Sequence, residues 1–270
     1  MSPSVASIGN MVRSWRELRR VSQLDLAVEA EVSQKHLSFI ESGRSAPSRE
    51  MVLHLAEHLD VPLRERNAML LAAGFAPVFR DRPWDDPALQ QARASVERLL
   101  AAHMPYPALT FDRHWNVLSA NPAVWSLLGA VDPSLLKPPA NILRISLHPT
   151  GLAPQIVNLT EWRGHLLDRL RRQLRITHDP ALQDLLKELT GYHSDPAPAL
   201  RGTPDHSPAD EIAIPLRLKT PSGLLSFLST VTVFGTPVEI TLSELTLEAL
   251  YPADSETSTA LLSMGNSQTR

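Results

Sequence analysis

Apolar residues recur at helical spacing through the first 73 positions and divide this stretch into five short helices. The face of the first helix is formed by Ile8, Met11, Val12, Trp15 and Leu18. Ser22, Ser33 and Ser48 stand where the N-caps of the next three helices should be, and Gly43 and Gly74 stand where helices should end. This pattern predicts an N-terminal domain made only of helices.

After residue 86 the pattern is mixed. Helices are expected at Asp86-Pro87, at Asn121-Pro122, after the caps Asn141 and Asn158, and at Asp179-Pro180. Strand-like runs cover 108–112 and 115–120, and strict alternation of Ile212, Ile214, Leu216 and Leu218 gives a third strand. The turns Pro221-Ser222-Gly223 and Gly235-Thr236-Pro237 lead into runs 224–234 and 238–250. These five runs predict a five-stranded antiparallel sheet accompanied by helices.

The last strand-like run changes its apolar parity along its length. Val238, Ile240 and Leu242 are even-numbered, whereas Leu245 and Leu247 are odd-numbered. Because side chains alternate between the two faces of a strand, one extra residue would restore the pattern. We therefore predict a β-bulge near Ser243-Glu244.

Proline marks a boundary between two domains. The chain has 270 residues and 23 prolines, of which only Pro3, Pro47 and Pro62 lie in the first 75 positions. Glycine and proline cluster from Gly74 to Pro87, which is typical of a linker. We predict a helical domain over 1–75, a linker over 76–86 and an α+β domain over 87–270, with a flexible tail after about residue 255.

Composition narrows the functional classes. The chain has no cysteine, which excludes disulfides, thiolate metal sites and thiol catalysis. The formal net charge is −3, so binding to nucleic acid would need a local basic patch. No apolar run reaches the roughly 18 residues of a membrane span, and the N-terminus lacks secretory-signal features. We therefore expect a cytoplasmic protein without a membrane partner or a required cofactor.

Residues 22–48 have the pattern of a helix-turn-helix, with two helices of about eight residues joined by a tight turn. The second helix of such a unit enters the major groove of DNA. Its exposed side chains here would be Gln34, Lys35, Ser38 and Phe39, which can pair with adenine, donate to guanine and cover a thymine methyl group. These four are the predicted base contacts. An ordinary helical bundle, with Phe39 packed on the second domain, is the structural alternative.

Phosphate contacts are predicted around the same motif. The Gln23 amide and first-turn N–H groups can hold a phosphate, and arginines on helix one and after Gly43 can neutralise others. The predicted phosphate contacts are Arg16, Arg20, Ser22, Gln23, Ser33 and Arg44. For the arginines of helix one, a merely solvated polar face remains an alternative.

The pattern SQ-x-x-LA-x-x-A-x-VS-x-x-x-L-S-x-IE-x-G-R, from Ser22 to Arg44, resembles the XRE (lambda-repressor-like) family of transcriptional regulators. One departure is Glu31, at a turn position that this family usually gives to glycine. A left-handed Glu31 would cost on the order of 1 kcal/mol. The segments 42–77, 105–123, 141–152, 156–162 and 229–254 resemble the MmyB-like branch of that family. The resemblance covers nearly the whole chain and implies a C-terminal PAS-like domain that binds a long-chain fatty acid or similar lipid.

A ligand cavity in that domain needs an apolar lining with few polar groups. Aromatic and leucine candidates, joined by three residues that could meet a carboxylate, are Phe111, Trp115, Trp125, Arg144, His148, Trp162, His165, Leu166, Phe227 and Phe234. Ordinary core or surface positions are the alternative for each of them.

Together these patterns predict a regulator that binds operator DNA as a homodimer and responds to a small apolar ligand. One alternative is an antitoxin-like, autoregulatory module whose second domain binds a protein. Another is an enzyme with a DNA-binding appendage. The sequence has no G-x-S-x-G, P-loop, G-x-G-x-x-G or H-E-x-x-H motif, so we do not expect an enzyme.

Overall fold

The computed structural model describes residues 7–192, 214–234 and 239–268. Contacts divide the chain into two compact units. The first contains the residues up to Pro83 together with Phe234–Ser243, and the second contains Trp84–Val233 and the residues from Glu244 onward. No helix in the described ranges is long and apolar enough to span a membrane.

The first unit has the five predicted helices. They are α1 (Ile8–Leu18), α2 (Gln23–Glu29), α3 (Gln34–Glu41), α4 (Arg49–His58) and α5 (Leu63–Ala72). Ser22, Ser33 and Ser48 each accept a hydrogen bond from a first-turn backbone N–H, which confirms the predicted N-caps. Their core consists of fully buried side chains, including Val12, Leu26, Leu37, Ile40, Val52, Leu55 and Met69.

Every one of these five helices ends in a Schellman-type turn with a left-handed residue. That residue is glycine after α3 and α5, but Arg20, Glu31 and Asp60 after α1, α2 and α4, with φ angles of 58°, 52° and 45°. At the α2 end, the N–H of Val32 donates to the carbonyl of Ala27 over 2.9 Å. Glu31 is left-handed although it is not glycine, and the hydrogen bonds of the turn hold it there.

Residues 239–243 lie in the first unit and form a helical turn, α11 (Ile240–Ser243), rather than the predicted bulged strand. The bulge prediction is wrong. The apolar parity changes because these residues form one turn of helix, which has the same effect on the pattern as an extra residue in a strand. The Ile240 N–H donates to the Arg80 carbonyl over 2.9 Å, and Glu239 forms an ion pair with Arg82. The predicted turn Gly235–Pro237 and the parity position Val238 lie outside the described residues.

The segment predicted as a linker is bound to α5 in the structure. The Asn67 amide donates to the Phe79 carbonyl over 2.7 Å, and its oxygen accepts from the N–H groups of Val78 and Phe79. Arg64 on α5 forms an ion pair with Asp81 at 2.5 Å. Residues 78–82 thus have fixed contacts within the first unit.

The second unit combines a five-stranded antiparallel sheet with helices, as predicted. Its helices are α6 (Gln90–Ala102), α7 (Pro122–Leu127), α8 (Ile142–Leu147), α9 (Leu159–Thr177), α10 (Pro180–Gly191) and α12 (Ser255–Gln268). Its strands are β1 (Ala108–Phe111), β2 (Val117–Ala120), β3 (Leu216–Thr220), β4 (Gly223–Val233) and β5 (Thr246–Pro252), in the order β2-β1-β5-β4-β3. The predicted strand residue Ile212 lies outside the described ranges.

One face of this sheet carries the core of the second unit. Phe227 pairs with Leu216 and Leu225 with Leu218, and all four side chains are buried. Helix α12 occupies the region where the sequence suggested a flexible tail. Its Leu261 is only 3% exposed, and the Thr257 hydroxyl accepts a 2.9 Å hydrogen bond from the Ser226 N–H. These contacts fasten α12 to strand β4.

Candidate DNA-binding surface and ligand cavity

Helix α3 has one face packed on the core of the first unit and another face that is open. Leu37 and Ile40 are buried, which fixes the inward face of the helix. Gln34 and Lys35 are exposed, and Ser38 and Phe39 are half-buried. The four predicted base-contact residues therefore stand on the face of α3 that is turned away from the core.

Two positively charged side chains lie close to the ring of Phe39. The Lys35 ammonium lies 5.7 Å from its ring centroid, and the Arg44 guanidinium lies 5.8 Å away. Both distances are within the range of cation–π attraction. This arrangement gathers two cations beside the exposed face of α3.

Arg16 does not stand free on the surface, because it is bound to a buried carboxylate. Its guanidinium donates to both oxygens of Glu41, over 2.7 and 3.0 Å, and to the Val21 carbonyl over 3.0 Å. The Gln23 amide donates to the same carboxylate over 2.7 Å, and Arg13 lies 3.5 Å from it. The structure thus assigns Arg16 to the packing of α1 on α3, contrary to its predicted role at a phosphate.

The electrostatics of this cluster favour its ionised form. Burial alone would raise the pKa of Glu41, but hydrogen bonds from Arg16 and Gln23 hold the pKa below its ordinary value. The hydrogen bond to Glu41 raises the pKa of Arg16. Glu41 is therefore a carboxylate at neutral pH, although the residue is only 3% exposed.

The other predicted phosphate contacts differ in whether their side chains already bind another group of the protein. The Ser22 hydroxyl accepts a hydrogen bond from the Asp25 N–H and donates one to the Asp25 carboxylate over 2.6 Å. The Ser33 hydroxyl accepts from the His36 N–H. Arg20 is exposed and has no ion pair within the part of the chain that the structure describes. Arg20 and Arg44 are thus the two predicted arginines whose guanidinium groups remain available to an anion.

The second unit contains an apolar cavity of about 70 Å³. It lies between the sheet and helices α7, α8 and α9. Its lining residues are Pro107, Leu109, Trp115, Val124, Leu127, Leu128, Ile142, Leu143, Ser146, Leu152, Trp162, Leu166, Leu216, Leu218, Glu248 and Leu250. Only Ser146 and Glu248 among these have polar side chains that could orient a ligand, apart from the indole N–H groups.

Three of the predicted pocket residues line this cavity, namely Trp115, Trp162 and Leu166. Phe111 stacks on Trp115 with ring centroids 4.9 Å apart, and Phe227 is fully buried. These two phenylalanines belong to the surrounding core rather than to the cavity wall. His165 stacks on Trp162 at 5.6 Å, and burial, followed by the charge of Arg169, lowers its pKa.

The remaining predicted pocket residues do not line the cavity. Trp125 is 45% exposed, because its neighbours Val124 and Leu127 take the inward face of the short helix α7. Arg144 is turned toward α10, where it forms two hydrogen bonds with Glu188, of 2.8 and 2.7 Å. His148 packs edge-on against Tyr192, and Phe234 belongs to the first unit.

The ion pair between Arg144 and Glu188 lies beside a tyrosine whose pKa is shifted. Burial and a hydrogen bond to Glu188 raise the pKa of Tyr192 to about 12. The Arg144 hydrogen bonds keep the pKa of Glu188 low. This group of charges joins α8 to α10 and leaves Arg144 with a carboxylate partner from the protein itself.

The sequence-based search missed Glu248, Arg169 and Ser146. The Arg169 guanidinium lies 3.0 Å from the Glu248 carboxylate and 4.8 Å from the Trp115 ring centroid. The Trp162 indole donates to the Ser146 hydroxyl over 3.0 Å. Helical spacing could have indicated Arg169, since it follows Trp162 by seven positions and Leu166 by three on α9.

No group of three or more potential metal ligands occurs within the described ranges. His54 and His58 are neighbours on α4, but each contacts a backbone carbonyl, His54 that of Ala30 at 2.8 Å and His58 that of His54 at 2.9 Å. These contacts give both imidazoles a structural role.

Comparison with protein families gives two matches. Residues 12–66 match a helix-turn-helix family model, and residues 92–264 match the model described as the MmyB-like transcription regulator ligand binding domain. No curated protein matches the chain. The first match contains α2 and α3, and the second contains the whole lining of the apolar cavity.

Proposed function

We propose, from the premise that this chain belongs to the MmyB-like transcription regulators, that it binds its operator as a homodimer and changes that binding when an apolar ligand fills the second unit. A helix-turn-helix joined to a ligand-binding domain makes the chain a DNA-binding transcription regulator. The observation that carries the finer proposal is the apolar cavity in the ligand-binding domain.

On the DNA side, the proposal assigns base reading to α3. Gln34 and Lys35 stand in its first turn, where a recognition helix meets base edges. Gln can pair with adenine and Lys can donate to guanine, while Phe39 can cover a thymine methyl group. Arg20 and Arg44, with the N–H groups at the starts of α2 and α3, would contact phosphates.

A dimer is part of the proposal because one helix-turn-helix reads only a half-site. Two copies related by a two-fold axis would read a palindromic operator with half-sites about one helical turn apart. Such a regulator acts where its operator is, so we place it in the cytoplasm. The net charge of −3 argues against a general affinity for polyanions and in favour of a few placed contacts.

The size of the cavity bears on the mechanism. A typical small-molecule site encloses about 300–1,000 Å³, which is several times the volume found here. A fatty acid or a similar lipid would therefore have to move the cavity walls, α7 and α8 among them. A ligand that favours an expanded state shifts the population toward that state, and this differential affinity is what regulation requires.

The test is native mass spectrometry of the protein purified from cells, paired with selection of its DNA targets from a random library. We expect a dimer carrying a co-purifying apolar molecule and a palindromic selected sequence. A bare monomer that selects no sequence would contradict the proposal. A tightly bound protein on the second unit would favour the antitoxin-like alternative.

A further inference from the structure

Helix α9 concentrates positive charge in a chain whose formal net charge is −3. It contains five arginines but only two carboxylates. Two of the arginines are bound within the second unit, since Arg163 donates to two backbone carbonyls of α10 and Arg169 pairs with Glu248. The other three are exposed, namely Arg171, Arg172 and Arg175. The second half of α9 is therefore a basic surface.

A groove of about 440 Å³ lies along this basic surface. Its lining residues are Arg171, Leu174, Arg175, His178 and Gln183. Arg171, Leu174 and Arg175 share one face of α9, because they are spaced by three and four positions. His178 directly follows the last residue of α9, and Gln183 stands near the start of α10. The groove is thus formed by the α9–α10 hairpin and shares no lining residue with the apolar cavity.

The positive charge of the groove is poorly compensated by the protein. Arg171 lies 2.8 Å from the Asp168 carboxylate, but the two side chains are 46% and 61% exposed, and such solvated pairs contribute little. Arg172 and Arg175 form no ion pair with any residue that the structure describes. None of the lining residues is acidic. A cleft lined by charges of one sign concentrates ions of the opposite sign, so this groove attracts anions.

We propose that the groove binds the phosphate groups of a small phosphorylated molecule, at a site separate from the apolar cavity and from the helix-turn-helix. Guanidinium groups match phosphate oxygens in bidentate pairs, and the Gln183 amide adds a neutral donor. Half-buried Leu174 presents an apolar surface to the rest of the molecule.

The shape of the groove favours a small molecule over duplex DNA. Its volume of about 440 Å³ falls within the range of about 300–1,000 Å³ that is usual for small-molecule sites. A protein that binds a duplex neutralises several phosphates spread along the backbone, whereas the cations here converge on one concave site. The occupant that fits is therefore a molecule of about nucleotide size with more than one negative charge.

The experiment titrates the full-length protein with inorganic triphosphate, adenosine triphosphate and adenosine at low ionic strength, followed by calorimetry. We expect both triphosphates to bind with a Kd below about 1 mM and adenosine to give no measurable binding. Added salt should weaken the binding of both triphosphates, because the cations of the groove are exposed to solvent.

Two double variants locate the site. Arg171→Gln/Arg175→Gln removes both guanidinium groups from the lining and should weaken the binding of each triphosphate at least about tenfold. The matched control, Arg98→Gln/Lys219→Gln, removes two exposed cations of the second unit outside the groove and changes the net charge equally. Its affinity for both triphosphates should equal that of the unchanged protein. If circular dichroism shows that the first double variant does not fold, Arg175→Gln alone decides the question.

Three results would overturn this inference. The first is that neither triphosphate binds, and the second is that the two double variants lose affinity equally, because the probes would then respond only to net charge. The third is that Arg171→Gln/Arg175→Gln leaves triphosphate binding unchanged but reduces the salt dependence of DNA binding, which would assign the groove to the DNA backbone. None of these results bears on the proposed apolar ligand, since the groove and the cavity have no lining residue in common.

Discussion

The guanidinium of Arg16 and the carboxylate of Glu41 form a two-pronged ion pair that joins helix α1 to the last turn of α3. The Glu41 side chain has no exposed surface, and that of Arg16 is only 11% exposed. The pair therefore holds α3 against α1 within the helical unit. Close backbone packing acts at the same place, since a Cβ atom on Gly9 would stand 2.4 Å from the Ile40 carbonyl oxygen.

Replacement of Arg16 by alanine should destabilise the first unit strongly. It would leave the buried Glu41 carboxylate without its main partner, a loss typically worth about 3–5 kcal/mol. Urea unfolding followed by tryptophan fluorescence measures this change. Arg20→Ala, at an exposed arginine, is the control and should alter stability by less than about 0.5 kcal/mol. Equal effects of the two substitutions would contradict the structural role given to Arg16.

Acid should weaken the first unit through Glu41. Its pKa is lowered in the folded protein, so its contribution to stability is complete above the ordinary value of 4.5 and is lost as the pH falls through the lower folded value. We expect the stability difference between the unchanged protein and Glu41→Gln to shrink steadily over the interval from the ordinary value of 4.5 down through the lower folded value. Urea titrations at several pH values provide the measurement. A difference that stays constant over this interval would show that Glu41 is not ionised in the folded state.

Base contacts and phosphate contacts should respond differently to substitution. Gln34→Ala and Lys35→Ala should each reduce discrimination between operator and mismatched DNA by about 1–3 kcal/mol. Arg20→Ala and Arg44→Ala should weaken binding to all sequences and reduce the salt dependence by about one counterion each. Fluorescence anisotropy over a range of salt concentrations separates the two effects. Unchanged operator preference in the Gln34 and Lys35 variants would show that another surface reads the bases.

Glycine at position 31 should stabilise the protein. Glu31 holds a φ of 52°, a left-handed conformation that costs a non-glycine residue on the order of 1 kcal/mol. Glu31→Gly should recover part of this energy and raise the melting temperature by a few degrees, on the order expected for 1 kcal/mol. The reverse substitution, Gly43→Glu at a φ of 72°, should lower the melting temperature by a comparable amount. Calorimetry of both variants makes the comparison, and a fall in melting temperature for Glu31→Gly would show that its side chain contributes more than the strain costs.

The parts of the fold that depend on local chemistry could be predicted from the sequence. Serine caps and apolar spacing placed α1 to α5 because these signals act within one or two helical turns. The apolar pattern after Val238 does not distinguish a four-residue helix from a bulge, since both change apolar parity in the same way. Tertiary hydrogen bonds to Arg80 and Arg82 decide between them, and no local pattern reports those bonds.

The candidate site was predicted only in part for a similar reason. Trp115 and Trp162 are large and apolar, so an inward position followed from their chemistry. Arg144 was expected to face a ligand, but Glu188 on α10 satisfies it, and such a partner 44 positions away is not visible in a helical pattern. Glu248 was overlooked because a charged residue in a strand is ordinarily taken to face solvent, whereas here Arg169 compensates its burial.

The helical unit is not encoded by one uninterrupted stretch of the gene, because residues 234–243 complete it from a point beyond most of the second unit. A fragment that stops at residue 75 would lose the Phe79 backbone that Asn67 holds, and a fragment that stops at residue 83 would still lose Glu239, the ion-pair partner of Arg82. If two such regulators exchanged their ligand-binding domains at a single junction, the chimera would combine the helices of one parent with the segment 239–243 of the other. That segment would then not match the helical unit on which it packs. Successful shuffling would need two junctions that keep 239–243 with its own α5.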